Sequence, residues 1–296
     1  MVFKKQYFKE FLKKIFPVML KCILHPGVMS WNLLCSVKYF FDLMTDELRD
    51  MYCKYPQIRY TEFLNFKIGG YVFDLPDLPS FLFQYKEIMQ DEIYLFKTFD
   101  DNPVIIDIGS NVGTSVIFFG KKYPNAQIYA YEPDPVIFQY LKKNVTRNCL
   151  ANVHCYNAAV YDCEKDLFFN AEGADGGSVT GTESTKSIVV RSKDIKEILK
   201  IFPKINMLKI DIEGAENVVI PAAGKDLARI ENIFIEFHQR HDEENHLPEI
   251  LSVLNDAGFS YSIFNTQDNP SRAFVSRHNH PDFSMQLEIF AFKSKI

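Results

Sequence analysis

The chain has 296 residues, 47% hydrophobic and 24% charged, enough for one well-buried domain with an appendage, and this excludes a wholly disordered polypeptide. Its formal net charge of -5 and pI near 5.8 leave no overall basic surface of the kind that dominates binding to a nucleic-acid backbone, so nucleic acid is not an expected partner. The 6 cysteines (Cys22, Cys35, Cys53, Cys149, Cys155, Cys163) form no CxxC pair and no Cys/His cluster at zinc spacing, which reads as reduced thiols in a cytoplasmic protein.

At the start, Phe3, Tyr7, Phe8, Phe11 and Ile15 recur at helical spacing while Lys4, Lys5, Lys9, Lys13 and Lys14 occupy the remaining surface. This basic amphipathic helix is expected to pack on the main domain; the alternative is an arm, residues 1–24, resting on the inner face of an anionic membrane. The stretch from Ile15 to Leu24 contains Pro17 and Lys21 and leads to no small-residue cleavage site, so it is not read as a signal peptide. Trp31 to Lys54 read as helical, and Phe63 to Leu75 alternate as a hairpin turning at Gly69-Gly70 before Pro76 and Pro79 break the pattern. Residues 1–100 are thus expected to form an accessory region of helices with a short hairpin, and residues 101–296 the main domain.

From Asn102 onward, apolar runs alternate with helical stretches: Val104 to Ile108, Gln127 to Tyr131, Val153 to Val160, Met207 to Ile212 and Ile233 to Phe237. Short apolar strands separated by helices predict a mostly parallel, Rossmann-like α/β sheet covered on both faces. The last runs, Tyr261 to Phe264 and Leu287 to Phe292, are joined by a polar loop and should form an antiparallel pair at the sheet edge. Glu172 to Lys186, rich in Gly, Ser and Thr, reads as a loop placed where a lid could sit.

The turn Asp107-x-Gly109-x-Asn111-x-Gly113 follows the first strand and opens a helix. A carboxylate at Asp107 would repel a diphosphate but attract the cationic amino group of a methionine moiety, directly or through water. Glu132 ends the second strand, where it can accept hydrogen bonds from both ribose hydroxyls, and Asp134 before Pro135 supplies the helix cap, leaving Glu132 for the ligand. Ala158, in Asn157-Ala158-Ala159, would admit an adenine ring.

In Asp211-Ile212-Glu213-Gly214-Ala215-Glu216, carboxylates gather at the end of the fourth strand, the edge where open α/β sheets bind ligands. Asp211 is the first candidate for contact with the donor or for accepting a proton; Glu213 and Glu216 are candidates for the acceptor or for helix-start charges. Glu236 and His238 point to one side of the fifth strand, and His238 could act as a general base. A divalent cation on Asp211, Glu236 and His238 is allowed but not favoured. Arg272, Arg277, His278 and His280 lie in a loop expected to overhang this edge and to suit a charged acceptor.

The motifs DIGSNVG, YAYEPDP, YNAAV and LKIDIEGAE, in that order, resemble the FkbM-type S-adenosylmethionine methyltransferases from about Asn102 to Phe264. The resemblance implies O-methylation of a hydroxyl on a sugar, glycan or polyketide-type natural product. It also implies a cofactor site of Asp107, Gly109, Asn111, Gly113 and Glu132 and an active site bordered by Asp211 to Glu216. The expected partner is a small-molecule or glycan acceptor with a free hydroxyl. A nicotinamide-dependent oxidoreductase on the same sheet, or a cofactor-binding interaction protein, are the competing readings.

Overall fold

The computed structural model describes residues 44–55, 58–174, 176–180, 187–241, 243–265 and 283–293. The chain divides between Ile93 and Tyr94 into two compact units. In the first unit, α1 (Asp46–Lys54) is capped by Thr45, whose side chain accepts from the backbone N–H of Leu48. Strands β1 (Phe63–Ile68) and β2 (Tyr71–Leu75) pair antiparallel with Ile68 opposite Tyr71. Gly69 and Gly70 between them have φ of 57° and 80°, the left-handed pair that a two-residue hairpin turn demands.

Pro79 does not stop the chain from coiling. It sits in the first turn of α2 (Leu78–Gln84), where a missing N–H costs nothing, and Asp77 caps that helix by accepting from Ser80 at 3.2 Å. A π-helical stretch, Tyr85–Gln90, follows. From the sequence alone Pro76 and Pro79 read as breakers, so no helix is expected at this point. The basic helix of residues 1–24 lies outside the described residues.

The second unit begins with β3 (Val104–Ile108), α3 (Thr114–Lys122), β4 (Gln127–Tyr131), α4 (Pro135–Arg147) and β5 (Val153–Tyr156). It continues through β6 (Ala159–Tyr161), β7 (Asp166–Asn170), β8 (Ser178–Thr180), β9 (Ser187–Asp194), α5 (Ile195–Lys200) and β10 (Ile205–Ile210). It closes with α6 (Glu216–Ala223), β11 (Ile230–Arg240), α7 (Leu247–Asp256), β12 (Ser260–Phe264) and β13 (Phe283–Phe292). Seven strands form the main sheet in the order β12-β13-β11-β10-β3-β4-β5. Neighbours from β11 to β5 are parallel, while β13 runs antiparallel between β11 and β12. This is the Rossmann-like α/β sheet that the alternating runs predict, with its antiparallel pair at one edge.

Every residue of β10 is buried, as a central parallel strand covered on both faces requires. Leu208 and Ile210 pack with Ile233, Ile235, Phe237, Ile220 and Leu254 in the main core. Asn206 and Lys209 are its polar residues, and Lys209 is the charged one.

The run from Val153 to Val160 is two strands rather than one: β5 ends at Tyr156, and β6 belongs to a separate four-stranded sheet ordered β6-β9-β7-β8. The break falls where the Asn157 side chain turns aside to donate to the carbonyls of Glu132 and Pro133. The segment from Glu172 to Lys186 is not all loop either, since Ser178 to Thr180 pair with β7. Among the described residues no helix is long and apolar enough to cross a membrane.

Leu208 is fully buried in the main core, whereas Val189 on β9 is 64% exposed. Leu208→Ala should therefore cost roughly 2–5 kcal/mol and Val189→Ala no more than about 0.5 kcal/mol. Urea unfolding followed by circular dichroism checks both; equal losses would mean that β10 is not the packing centre.

Candidate active site at the carboxyl edge of the sheet

The carboxyl ends of β3, β4, β10 and β11 meet at one edge, and the turn from β3 into α3 lies across it. Gly109 has φ +80°, and a Cβ there would stand 1.8 Å from the carbonyl oxygen of Asp211. Only glycine lets the β3 turn lie this close to the end of β10. Asn111 is also left-handed (φ 48°), with its side-chain amide donating to the Ala174 carbonyl at 3.1 Å and its backbone N–H donating to Glu132 Oε2 at 2.9 Å. Ala174 thus brings the segment after β7 over the turn.

Glu132 was expected to be left for a ligand, but both its oxygens already accept a backbone N–H. Oε2 takes Asn111, Oε1 takes Asp134 at 2.9 Å, and the residue is 6% exposed. Burial pushes its carboxyl up to about 7, against the pull of those two hydrogen bonds. Asp134 caps α4 by accepting from Val136 and Ile137.

Of the two expected modes for Asp107, direct or water-mediated attraction of a methionine amino group, its burial disfavours the direct one. It is fully buried, with Oδ2 accepting from Ser115 at 2.5 Å and Oδ1 3.5 Å from the Lys209 ammonium. Lys209, 3% exposed, also donates to the Gly109 carbonyl at 2.6 Å and pairs with Asp211 at 3.3 Å. Burial raises the Asp107 carboxyl despite Lys209. Burial would lower the Lys209 ammonium, but Asp211 and Asp107 raise it, so it stays charged.

Beyond Asp211 the chain makes a tight turn, with Glu213 at φ 57° and Gly214 at φ 105°. A left-handed non-glycine residue stores backbone strain that its surroundings must hold in place. Here Glu216, fully buried, accepts from the N–H groups of Ile212 and Gly214 at 2.9 Å each, and Arg240 Nη2 donates to the Glu213 carbonyl at 3.2 Å. Glu216 is thus a turn-holding residue without access to an acceptor, which removes it from the candidate substrate contacts.

His238, 1% exposed, lies among carboxylates: Nδ1 is 3.4 Å from Glu216 Oε1, and Nε2 is 3.7 Å from both Glu213 Oε2 and Glu236 Oε1. Burial would lower its pKa, but the bond to Glu216 and the charges of Glu216, Glu213 and Glu236 push it up to about 10. Such a ring is a poor general base at neutral pH, contrary to the sequence expectation. Gln286 Nε2 lies 3.0 Å from His238 Nε2 and 2.7 Å from Glu236 Oε1. As placed, this amide donates to both, and an imidazolium would require it to turn over.

Burial raises Glu213 to about 8, with Asp211, Glu236 and Glu216 adding to the shift, and burial together with Asp211 raises Glu236 to about 7. Asp211, Glu213 and His238 each bring one ligand-capable atom to within 4.8 Å of the others, so Glu213 rather than Glu236 completes the closest metal-competent group. Ala158 is buried in the link between β5 and β6, beside Asn157. Arg272, Arg277, His278 and His280 lie outside the described residues. Lys209, Ser115, Arg240 and Gln286 were not anticipated. Lys209 alone left a signal, a charged residue inside a mostly apolar central strand.

Lys209→Met should leave Asp107 buried without its cation and cost roughly 3–5 kcal/mol near neutral pH. A carboxyl whose folded pKa is raised contributes stability at low pH that is lost as pH rises. The deficit should therefore be larger at pH 8 than at pH 5, about one unit above the ordinary carboxyl range. Urea midpoints at the two pH values check this, and a pH-independent deficit would show that Asp107 does not depend on Lys209.

Residues 107–261 match the methyltransferase FkbM domain family. "Methyltransferase sdnD" of Sordaria araneosa is 26% identical over 213 residues, covering 60% of this chain and 81% of that protein. "31-O-demethyl-FK506 methyltransferase FkbM" of Streptomyces tacrolimicus is 28% identical over 218 residues, covering 60% and 81%. "Hexuronic acid methyltransferase AglP" of Haloferax volcanii is 27% identical over 183 residues, covering 61% and 72%. The family match spans the glycine turn, Glu132 and the cluster around Asp211 and His238, and with it this chain belongs to the FkbM methyltransferase family and is a methyltransferase.

Proposed function

We propose that this enzyme transfers a methyl group from S-adenosylmethionine to a hydroxyl of a sugar, glycan or polyketide-type acceptor. The observation that carries the donor assignment is Glu132, a buried carboxylate fixed against the Gly109–Asn111 turn by one N–H on each oxygen. A carboxylate oxygen has a second lone pair, so ribose hydroxyls can be added without dismantling the turn. The acceptor class is supported by the relatives, one named as a methyltransferase of 31-O-demethyl-FK506 and one of a hexuronic acid.

In the reaction the acceptor oxygen bonds to the methyl carbon as the carbon–sulfur bond breaks, and the hydroxyl proton leaves to a carboxylate. S-Adenosylmethionine supplies the activated methyl group; the chain's residues hold the reactants in line and receive the proton. The Asp211 side chain, 27% exposed and held by Lys209 at 3.3 Å, is the proposed acceptor of that proton. The His238 side chain is 0% exposed and is assigned a positioning role, orienting Glu213 and Glu236.

Calorimetric titration with S-adenosylmethionine tests the donor. Glu132→Gln replaces a charge-assisted acceptor with a neutral amide and should weaken binding by roughly 1.5–3 kcal/mol, a better probe than Glu132→Ala because it keeps a carbonyl oxygen for the turn. Since the free Glu132 carboxyl ionises near 7 and hydroxyl donors favour its ionised form, wild-type affinity should fall as pH drops below about 7 while the Gln variant stays flat. Wild-type protein that does not bind S-adenosylmethionine sinks the reading. Transfer of labelled methyl to uronic acids and hydroxylated macrolides, with S-adenosylhomocysteine as co-product, tests the acceptor class.

A further inference from the structure

Glu216 is held by two backbone N–H groups, and its Oε1 lies 3.4 Å from His238 Nδ1. A carboxylate on one imidazole nitrogen fixes the ring and, in the neutral tautomer, turns the lone pair of the other nitrogen outward, the arrangement found behind metal-bound histidines. On that outward side Glu213 Oε2 stands 3.7 Å from Nε2, and an oxygen of Asp211 completes a group within 4.8 Å. Donors bound to one ion at about 2.1 Å stand about 3–3.5 Å apart, so a pair at the 4.8 Å limit would need to close by about 1.3–1.8 Å. The turn at Glu213 and Gly214, held by Glu216 and Arg240, puts Glu213 there at the cost of a left-handed backbone.

Charge points the same way. The Asp107, Asp211, Glu213, Glu216 and Glu236 carboxylates converge on His238 and Lys209 as their positive partners. A divalent cation would relieve the mutual repulsion of these carboxyl groups. Lys209 holds Oδ2 of Asp211 at 3.3 Å, which leaves Oδ1 for an ion. The Gln286 amide, 3.0 Å from His238 Nε2, is the contact an ion would replace.

We propose that Asp211, Glu213 and His238 form a divalent-cation site. One imidazole with two carboxylates suits Mn2+ or Zn2+ better than Mg2+ or Ca2+, which favour all-oxygen donor sets. Three protein ligands leave positions free, where neighbouring oxygens of a uronic acid or a diol bind as a chelate; that last step rests on the O-methyl transfer proposed above.

The test is Mn2+ titration of the full chain, followed by calorimetry and by loss of the free-ion paramagnetic resonance signal, with no S-adenosylmethionine present. One saturable site is expected, with Mg2+ at least about tenfold weaker. Glu213→Gln and Asp211→Asn should each weaken Mn2+ binding by at least about tenfold while the far-UV circular dichroism spectrum stays that of the wild type. Glu243→Gln, outside the group, should leave it unchanged. No saturable Mn2+ binding, or binding that both ligand variants leave intact, overturns the site. Because the titration contains no methyl donor, its outcome is independent of whether S-adenosylmethionine is the cofactor.

Discussion

The site depends on one buried ammonium. Lys209 lies one residue from the carboxyl end of a fully buried strand and reaches three groups: the Gly109 carbonyl, Asp107 and Asp211. The first two belong to the turn after β3 and its strand, the third to the end of β10, so a single charge fixes the relative height of two adjacent strand ends. Apolar residues in place of both Lys209 and Asp107 would pack as well, since buried ion pairs are rarely a gain in stability over such a joint replacement. What the lysine adds is registry: Asp211 is held where a ligand would meet it, and the glycine turn is held against Asp211 so closely that no Cβ fits at Gly109.

The same economy governs Glu132. Its carboxylate stitches the β3 turn to the end of β4 while remaining at the edge where a ligand would lie. Two N–H groups are too little to offset its desolvation, and its carboxyl therefore rises to about 7. A group left in that condition is stabilised by whatever brings further donors, so the local cost of burial becomes part of the drive for binding.

Much of this was legible before the structure. Gly109 and Gly113 marked a turn because the backbone there is left-handed, and the Gly69-Gly70 hairpin was readable for the same reason. The parallel strands were legible as apolar runs because both faces of the sheet are covered. What escaped depended on partners distant in sequence. Nothing local distinguishes Glu216, bonded to its own turn, from Glu213, which faces the histidine. Strands β7 and β9 alternate exposed Asp166, Arg191 and Lys193 with buried Leu167, Phe169 and Val190, and that alternation was passed over in favour of continuous apolar runs. The break at Asn157 was hidden because apolar residues flank it on both sides.

His238 shows why residue type alone misassigns a role. A histidine at the end of a parallel strand reads as a base when its surroundings are unknown. Enclosed by Glu213, Glu216 and Glu236, its ring is driven toward the positive form, and burial keeps it from touching a substrate. The field that holds a proton on this ring is equally a field for a cation, since both relieve the same excess of carboxylate charge. Whichever occupies the position, the consequence for Glu213 is similar: a strained turn residue is drawn inward and fixed beside Asp211. The geometry of the reaction edge therefore follows from charge balance at its centre, with Lys209 on one side of Asp211 and the His238 cluster on the other.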